Sequence, residues 1–257
     1  MWRCRRKMSK QRSNQQIISG PNSLSEALAA AREVTQIFIA EGAKSARIDE
    51  ILLLAEKRKI SIKKVARKEL EQIVGNSNHQ GVAAIVEAYS YVSLEDLIES
   101  TKDTERQPLL IMLDELEDPH NLGAILRTAD AVAADGIIIP NRRSVGLTTT
   151  VAKISVGAIE HVPVAQVTNL VQTVERLKKE GFWIVGADAS GKQLYSEIDY
   201  NMSVCLVIGS EGQGISRLLL KNCDYVVRLP MRGHVNSLNA SVATSIFLYE
   251  IYRQRGY

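Results

Sequence analysis

The chain is poor in the residues that build metal sites and disulfide frameworks. Only three cysteines, Cys4, Cys205 and Cys223, occur in 257 residues, and the four histidines are as widely scattered. An odd, dispersed cysteine set has neither metal-ligand spacing nor disulfide parity. No metal and a reduced, cytoplasmic setting are therefore expected. No apolar run approaches the ~18 residues that span a bilayer. The basic start MWRCRRKMSKQR leads into polar QRSNQQIISG and not into the apolar core of a secretory signal. Membrane partners are thus not expected.

A charge bias is also missing, despite a formal net charge of +3. Residues 1–12 hold six Lys/Arg and no acid, which leaves −3 for residues 13–257. Basicity is local, so the isoelectric point alone does not argue for nucleic acid. The basic arm 1–15 reads as disordered.

What is present is α/β patterning in two parts. Residues 16–91 read as a small α/β module. Ser23 with Glu26 fits a capping box at a helix start. Strands are expected over 35–40, 61–65 and 82–88, and helices over 47–59 and 66–74. Lys57 to Lys68 holds seven Lys/Arg and no acid, which suits either a solvated face or a contact with an RNA backbone. The polar loop Asn76-Ser77-Asn78-His79-Gln80 lies between Gly75 and Gly81 and could present side chains to a ligand. Residues 92–107 read as a short helix and linker, with the domain boundary near 100–108. From 108 to 257, continuous apolar strands alternate with helices, the pattern of a parallel sheet covered on both faces.

Three stretches at strand ends carry polar chemistry. In Leu116–Ala129, Pro119 interrupts regular structure, Asn121 falls at or near a helix N-cap, and Arg127 follows six residues later. In Leu206–Ile215, three glycines in six positions make a tight turn around Glu211. The G-x-G-x-x-G dinucleotide spacing is absent, which argues against a nucleotide-dependent oxidoreductase. In Leu229–Glu250, a strand tail gives way to a polar loop, and Ser237 could cap a long apolar helix from about Leu238. Asn236 and Asn239 flank that start. Polar loops at the carboxyl ends of strands are where open α/β sheets bind ligands.

Taken in order, N-x-G-x-I-x-R-T-A, I-G-S-E-G-x-G and P-M-x-G-x-x-x-S-L-N-x-S-V-A resemble the three signature motifs of the SpoU (TrmH-like) RNA ribose 2′-O-methyltransferases of the SPOUT superfamily. RRSVGLTTTVAKISVGAIEHVPV (142–164) is similar to the family too. Residues 16–91 resemble the substrate-binding domain of its ribosomal-RNA members, including the HQG of the last loop. The likeness covers roughly 16–254; the basic arm lies outside it.

The resemblance implies a C-terminal SPOUT domain with a deep trefoil knot, a homodimer packed partly through the last helix, and S-adenosylmethionine (AdoMet) as methyl donor. Ala187, Gly209, Leu229, Met231 and Leu238 would lie against the adenine and ribose of AdoMet. Arg127 matches the family's catalytic arginine. Because a guanidinium is effectively always protonated, Arg127 is expected to grip a phosphate and stabilise a developing alkoxide. Asn121 and Glu211 would position Arg127 and the ribose, with Ser237 and Asn239 completing the pocket. The separate front domain argues for ribosomal RNA over transfer RNA, with a guanosine of a large-subunit loop as target. A non-catalytic RNA-binding protein, a base-methylating SPOUT enzyme and a resistance methyltransferase remain as other readings.

Overall fold

The computed structural model describes residues 15–29, 33–75, 79–87, 89–102, 106–235 and 237–256. The basic arm, residues 76–78 of the polar loop, Asn236 and the side chain of Glu26 lie outside the described residues. The chain forms two compact units, 1–90 and 91–257.

The first unit runs β1 (Gln15–Ser19), α1 (Pro21–Ala29), β2 (Val34–Ala40), α2 (Ala46–Lys57), β3 (Ser61–Val65), α3 (Arg67–Val74) and β4 (Val82–Glu87). Its sheet has the order β1-β4-β2-β3. β2 and β3 are parallel, whereas β4 runs antiparallel to β1 and β2. The two-residue period of a strand decides how β2 packs. Ile37 and Ile39 join a core with Leu24, Leu28, Ile48 and Ile51, while Phe38 and Ala40 meet Val65 and Leu70 in another. α1 begins at Pro21, so Ser23 lies inside the helix and is not its cap. Proline has its torsion preset for a first helical position, and that moved the start forward.

The second unit comprises α4 (Leu94–Ser100), β5 (Leu109–Leu113), α5 (Pro119–Ala131), β6 (Gly136–Pro140), α6 (Thr149–Ser155), a 3-10 turn (Ala158–Glu160), β7 (Val164–Val167), α7 (Leu170–Lys179), β8 (Trp183–Ala187), β9 (Gln193–Leu194), β10 (Val204–Ile208), α8 (Arg217–Lys221), β11 (Tyr225–Arg228) and α9 (Ala240–Gln254). The strand order is β7-β6-β5-β10-β8-β11-β9. Every pairing is parallel. All residues of β5 and β10 are buried, as strands covered on both faces require. From β5 the chain winds outward through β6 and β7, then crosses to β8 on the other side. The carboxyl ends of β5, β10, β8 and β11 are therefore neighbours at the reversal of winding, where a crevice opens.

Two local expectations are corrected here, and the place of Asn121 is made definite. Residues 92–102 pack within the second unit. Val92 donates to Val164 O at 3.0 Å, and Leu97 and Ile98 are buried in its core. The polar surface of this segment concealed that apolar pair. α5 starts at Pro119 and is capped by Asp118, whose Oδ1 accepts from His120 N at 2.8 Å. Asn121 thus sits in the first turn, near the cap as expected, with Pro119 fixing the helix start. α9 starts at Ala240 with Asn239 as its cap, in place of Ser237. No helix among the described residues is long and apolar enough to cross a membrane.

Candidate active site

The crevice is built from the three strand-end stretches. β10 ends in Ile208, and the chain folds back on itself at once: Ser210 N donates to Gly214 O at 3.2 Å, and Gly214 N to Ser210 O at 2.9 Å. This return is possible only because Gly209 lacks a side chain; a Cβ there would lie 2.0 Å from Gly214 C. The far side of the turn is fixed by Asp114, buried just past β5, whose Oδ2 accepts from Ser216 N at 2.7 Å. Glu211 is left at the tip of the loop.

Glu211 then gathers the other two stretches. Its Oε1 accepts from Asn121 Nδ2 at 2.8 Å, from Asn239 Nδ2 at 2.6 Å and from Ala240 N at 3.2 Å. Asn239 Nδ2 also donates to Asn121 Oδ1 at 2.9 Å. The other end of the Asn239 amide caps α9, Oδ1 accepting from Ser241 N at 3.0 Å and Val242 N at 3.3 Å. A carboxylate at the amino end of α9 also complements the helix dipole. Only one Glu211 oxygen is used; no donor reaches Oε2 among the described residues.

Beside Glu211 lies a cleft of about 390 Å³, within the range of small-molecule sites. Ala187, Gly209, Leu229, Met231 and Leu238 all line it, as does Ser237. Its walls are largely apolar side chains and loop backbone, suited to a flat heterocycle. Glu211 and Asp188 supply the carboxylates on its rim, which suits ribose hydroxyls and a cationic ligand. Released from capping, Ser237 is exposed and faces this cleft.

Arg127 is not part of the network. It lies on α5, is exposed, and makes no hydrogen bond or ion pair among the described residues. Six positions along a helix is about 120° from a full set of turns, so Arg127 leaves the helix on a different face from buried Asn121. Within one chain Asn121 and Glu211 hold each other and Asn239, and neither is hydrogen-bonded to Arg127.

The family model of the SpoU rRNA Methylase family matches residues 108–249, more than half of the chain. The chain belongs to the SpoU (TrmH) family of RNA methyltransferases. A second family model, for RNA 2′-O ribose methyltransferase substrate binding, matches residues 17–92 of this SpoU protein. Bacillus subtilis (strain 168) YacO, which carries the name of a TrmH family tRNA/rRNA methyltransferase, is 51% identical over 93% of this chain and 95% of its own. Among solved structures, an AdoMet-bound rRNA methyltransferase from Sinorhizobium meliloti is 25% identical with a TM-score of 0.69, covering 93% of this chain and 87% of that one. The SpoU methyltransferase AviRb from Streptomyces viridochromogenes, in complex with AdoMet, is likewise 25% identical with a TM-score of 0.69, covering 97% and 94%.

Two further residues of this SpoU methyltransferase line the cleft without having been singled out in its sequence. Asp188 follows β8, and its Oδ1 accepts from Ser190 N at 2.9 Å and Ser190 Oγ at 2.6 Å. The signal for it was available: a polar residue at the carboxyl end of a buried strand. Phe247 reaches the cleft from α9, edge-on to Tyr195 at 5.9 Å; nothing distinguished it from other apolar positions of that helix. The two thiols among the described residues, Cys205 and Cys223, are poor nucleophiles. Burial raises both, Cys205 strongly and Cys223 to about 12.

Proposed function

We propose that this methyltransferase transfers a methyl group from AdoMet to a ribose 2′-hydroxyl of ribosomal RNA, with a guanosine in a large-subunit loop as target. The observation that carries the reading is the union of Asn121, Glu211 and Asn239 at one oxygen, beside a cleft lined by Ala187, Gly209, Leu229, Met231 and Leu238. The AdoMet-bound neighbours support the donor, and the name of the Sinorhizobium meliloti neighbour supports the RNA class.

The donor brings an activated methyl on a sulfonium. The methyl–sulfur bond breaks as the ribose oxygen–carbon bond forms, and the 2′-oxygen loses its proton. The chain must therefore align the two partners and manage one proton and one developing charge. Glu211, held by three donors, presents its second oxygen to a hydroxyl. Ser237 adds a hydroxyl on the same wall. Arg127, exposed and unpaired, is available to grip the target phosphate and to stabilise the alkoxide as it develops. The proton passes to that phosphate or to water.

The trefoil knot belongs to this reading, supported by the insertion of β10 between β5 and β8. So does a homodimer. Val242 and Tyr249, seven residues apart and so on one stripe of α9, are 49% and 53% exposed. Sedimentation at micromolar concentration tests it, and a monomer throughout would count against it. A cytoplasmic location follows from an RNA substrate of this kind.

The decisive experiment transfers label from radioactive AdoMet to unmodified ribosomal RNA and, in parallel, to transfer RNA, followed by alkaline hydrolysis. A 2′-O-methyl leaves an alkali-resistant dinucleotide. Label in resistant dinucleotides from ribosomal RNA alone is expected. Label in transfer RNA would overturn the RNA class, and label outside resistant dinucleotides would indicate base methylation. No transfer to either RNA would leave an enzyme that acts only on the ribosomal particle, or a binding protein.

A further inference from the structure

The cleft beside Glu211 carries an uncompensated charge. Asp188 and Glu211 both line it, and among the described residues no Lys, Arg or His does. The two carboxylates are not equivalent. Glu211 accepts three hydrogen bonds at one oxygen, one of them from Ala240 N at the amino end of α9, and that helix end offsets part of its charge. Asp188 has no such partner. It follows β8 directly, in a tight turn: Asp188 N donates to Val227 O at 3.0 Å, and Gly191 N to Asp188 O at 3.0 Å. Within that turn Oδ1 takes both hydrogen bonds from Ser190, while no donor reaches Oδ2 among the described residues. Oδ2 lies over the Gly-rich return, where a Cβ on Gly214 would meet it at 2.9 Å. Arg228, at the end of β11, donates to Gly191 O and Lys192 O at 2.9 Å each and takes no part in the lining. The negative charge of Asp188 is therefore held in place on the cleft wall.

Methyl transfer changes the charge of the ligand in such a cleft. AdoMet bears a sulfonium, an ammonium and a carboxylate, a net single positive charge. As the methyl–sulfur bond breaks, the bonding pair stays on sulfur, the methyl goes to the ribose oxygen and the hydroxyl proton leaves. The product, S-adenosylhomocysteine (AdoHcy), keeps the ammonium and the carboxylate but has a neutral sulfide. Donor and product thus share every hydrogen-bonding group and differ by one methyl and one charge. A hydrogen bond to a shared group holds both alike, whereas a fixed charge distinguishes them without touching the sulfur. Low-dielectric walls focus such a field, and a carboxylate acts over about one Debye length, roughly 8–10 Å.

We propose that Asp188 selects donor over product. Its carboxylate favours the sulfonium form of the ligand, and the loss of that charge on methyl transfer loosens the spent ligand for release. The role rests on AdoMet being the ligand of this cleft. It makes Asp188 a specificity-determining residue, with no part in removing the proton.

The test is calorimetry on the full chain without RNA, with AdoMet and AdoHcy as separate probes. Asp188→Asn keeps an acceptor for Ser190 and removes only the charge. It is expected to weaken AdoMet about fivefold, the scale of one charge acting across ~8 Å of partly wetted cleft, and AdoHcy by less than about twofold. Sinefungin, which has an ammonium near the place of the sulfonium, should follow AdoMet. Glu175→Gln makes the same charge change on an exposed position of α7 and should alter none of the three. Equal weakening of AdoMet and AdoHcy, or no weakening of either, overturns the proposal. Should Asp188→Asn fail to fold, the parent decides: raising KCl from about 50 to about 500 mM should weaken AdoMet more than AdoHcy, because screening acts on the charge alone. Equal salt dependence would overturn it. Failure of the selection leaves the donor assignment standing. A parent that binds none of the three ligands refutes that assignment, and the selection with it.

Discussion

Asn239 and Glu211 are joined by a 2.6 Å hydrogen bond in which the asparagine amide donates, while the carbonyl oxygen of the same side chain caps α9. One residue thus fixes both the start of a helix and the carboxylate beside the cleft. Glu211→Ala removes the acceptor for Asn121 Nδ2, on a residue only 4% exposed. An unmet buried amide costs about 1–3 kcal/mol. The expected fall in Tm is about 2–10 °C, with loss of methyl transfer. Glu211→Gln keeps an acceptor and should recover most of the Tm but not the activity. Thermal melts alongside transfer assays separate the two, and full activity in the glutamine variant would remove the charge from the mechanism.

Arg127 should behave in the opposite way. It is exposed and holds nothing in place, so Arg127→Ala should alter stability by no more than about 0.5 kcal/mol. Methyl transfer should fall at least about a hundredfold, as for loss of a group that stabilises developing charge. Arg127→Lys keeps the charge but not the planar fork and should rescue little. Near-full activity with lysine would exclude a bidentate grip on phosphate.

Gly209→Ala places a methyl 2.0 Å from Gly214 C, against backbone and not a yielding side chain. The Gly-rich return must open, at a cost of about 3 kcal/mol or more. AdoMet binding, measured by calorimetry, should be lost at concentrations that saturate the parent. Gly212→Ala, where a Cβ meets nothing within 4 Å, is the matched control and should bind normally.

The acid limit of stability should depend on Glu250. Its carboxylate accepts from Arg253 Nε at 2.9 Å, Arg253 Nη2 at 2.7 Å and Gln254 Nε2 at 2.8 Å. The Arg253 hydrogen bonds hold its carboxyl below the ordinary value of 4.5. A carboxyl lowered in the folded state contributes its full stabilisation above the unfolded value and loses it as pH falls through the folded value. Urea midpoints between pH 7 and pH 3 should therefore fall less in Glu250→Gln than in the parent. Parallel curves would show that the pair carries no net stabilisation.

Much of the site was legible because the chemistry falls at strand ends, which apolar runs locate well. The contiguous runs that became β5 and β10, and the polar stretches after them, were read from composition alone. Helix starts were read less well. Serine, asparagine and aspartate are all competent caps, so Ser237 against Asn239 could be separated only by where the neighbouring strand delivers the chain, whereas Pro119 marks Asp118 as the cap of α5. The short strands β1 and β9 carry too few apolar residues to show a period. The partners of Asn121 were hidden for a different reason. They lie 90 and 118 residues away in sequence, and no local pattern encodes a contact at that range.

Those same separations govern when the cleft can come into being. Three stretches converge on one oxygen of Glu211, and α9 supplies Asn239 and Ala240 to it. During synthesis, β5, α5 and β6 can fold while α9 has yet to be made, but the wall containing Leu238, Ala243 and Phe247 cannot. Closing loops of this length is slow. A nascent chain short of α9 therefore lacks this cleft, and whatever chemistry depends on the cleft becomes possible only once α9 has been made.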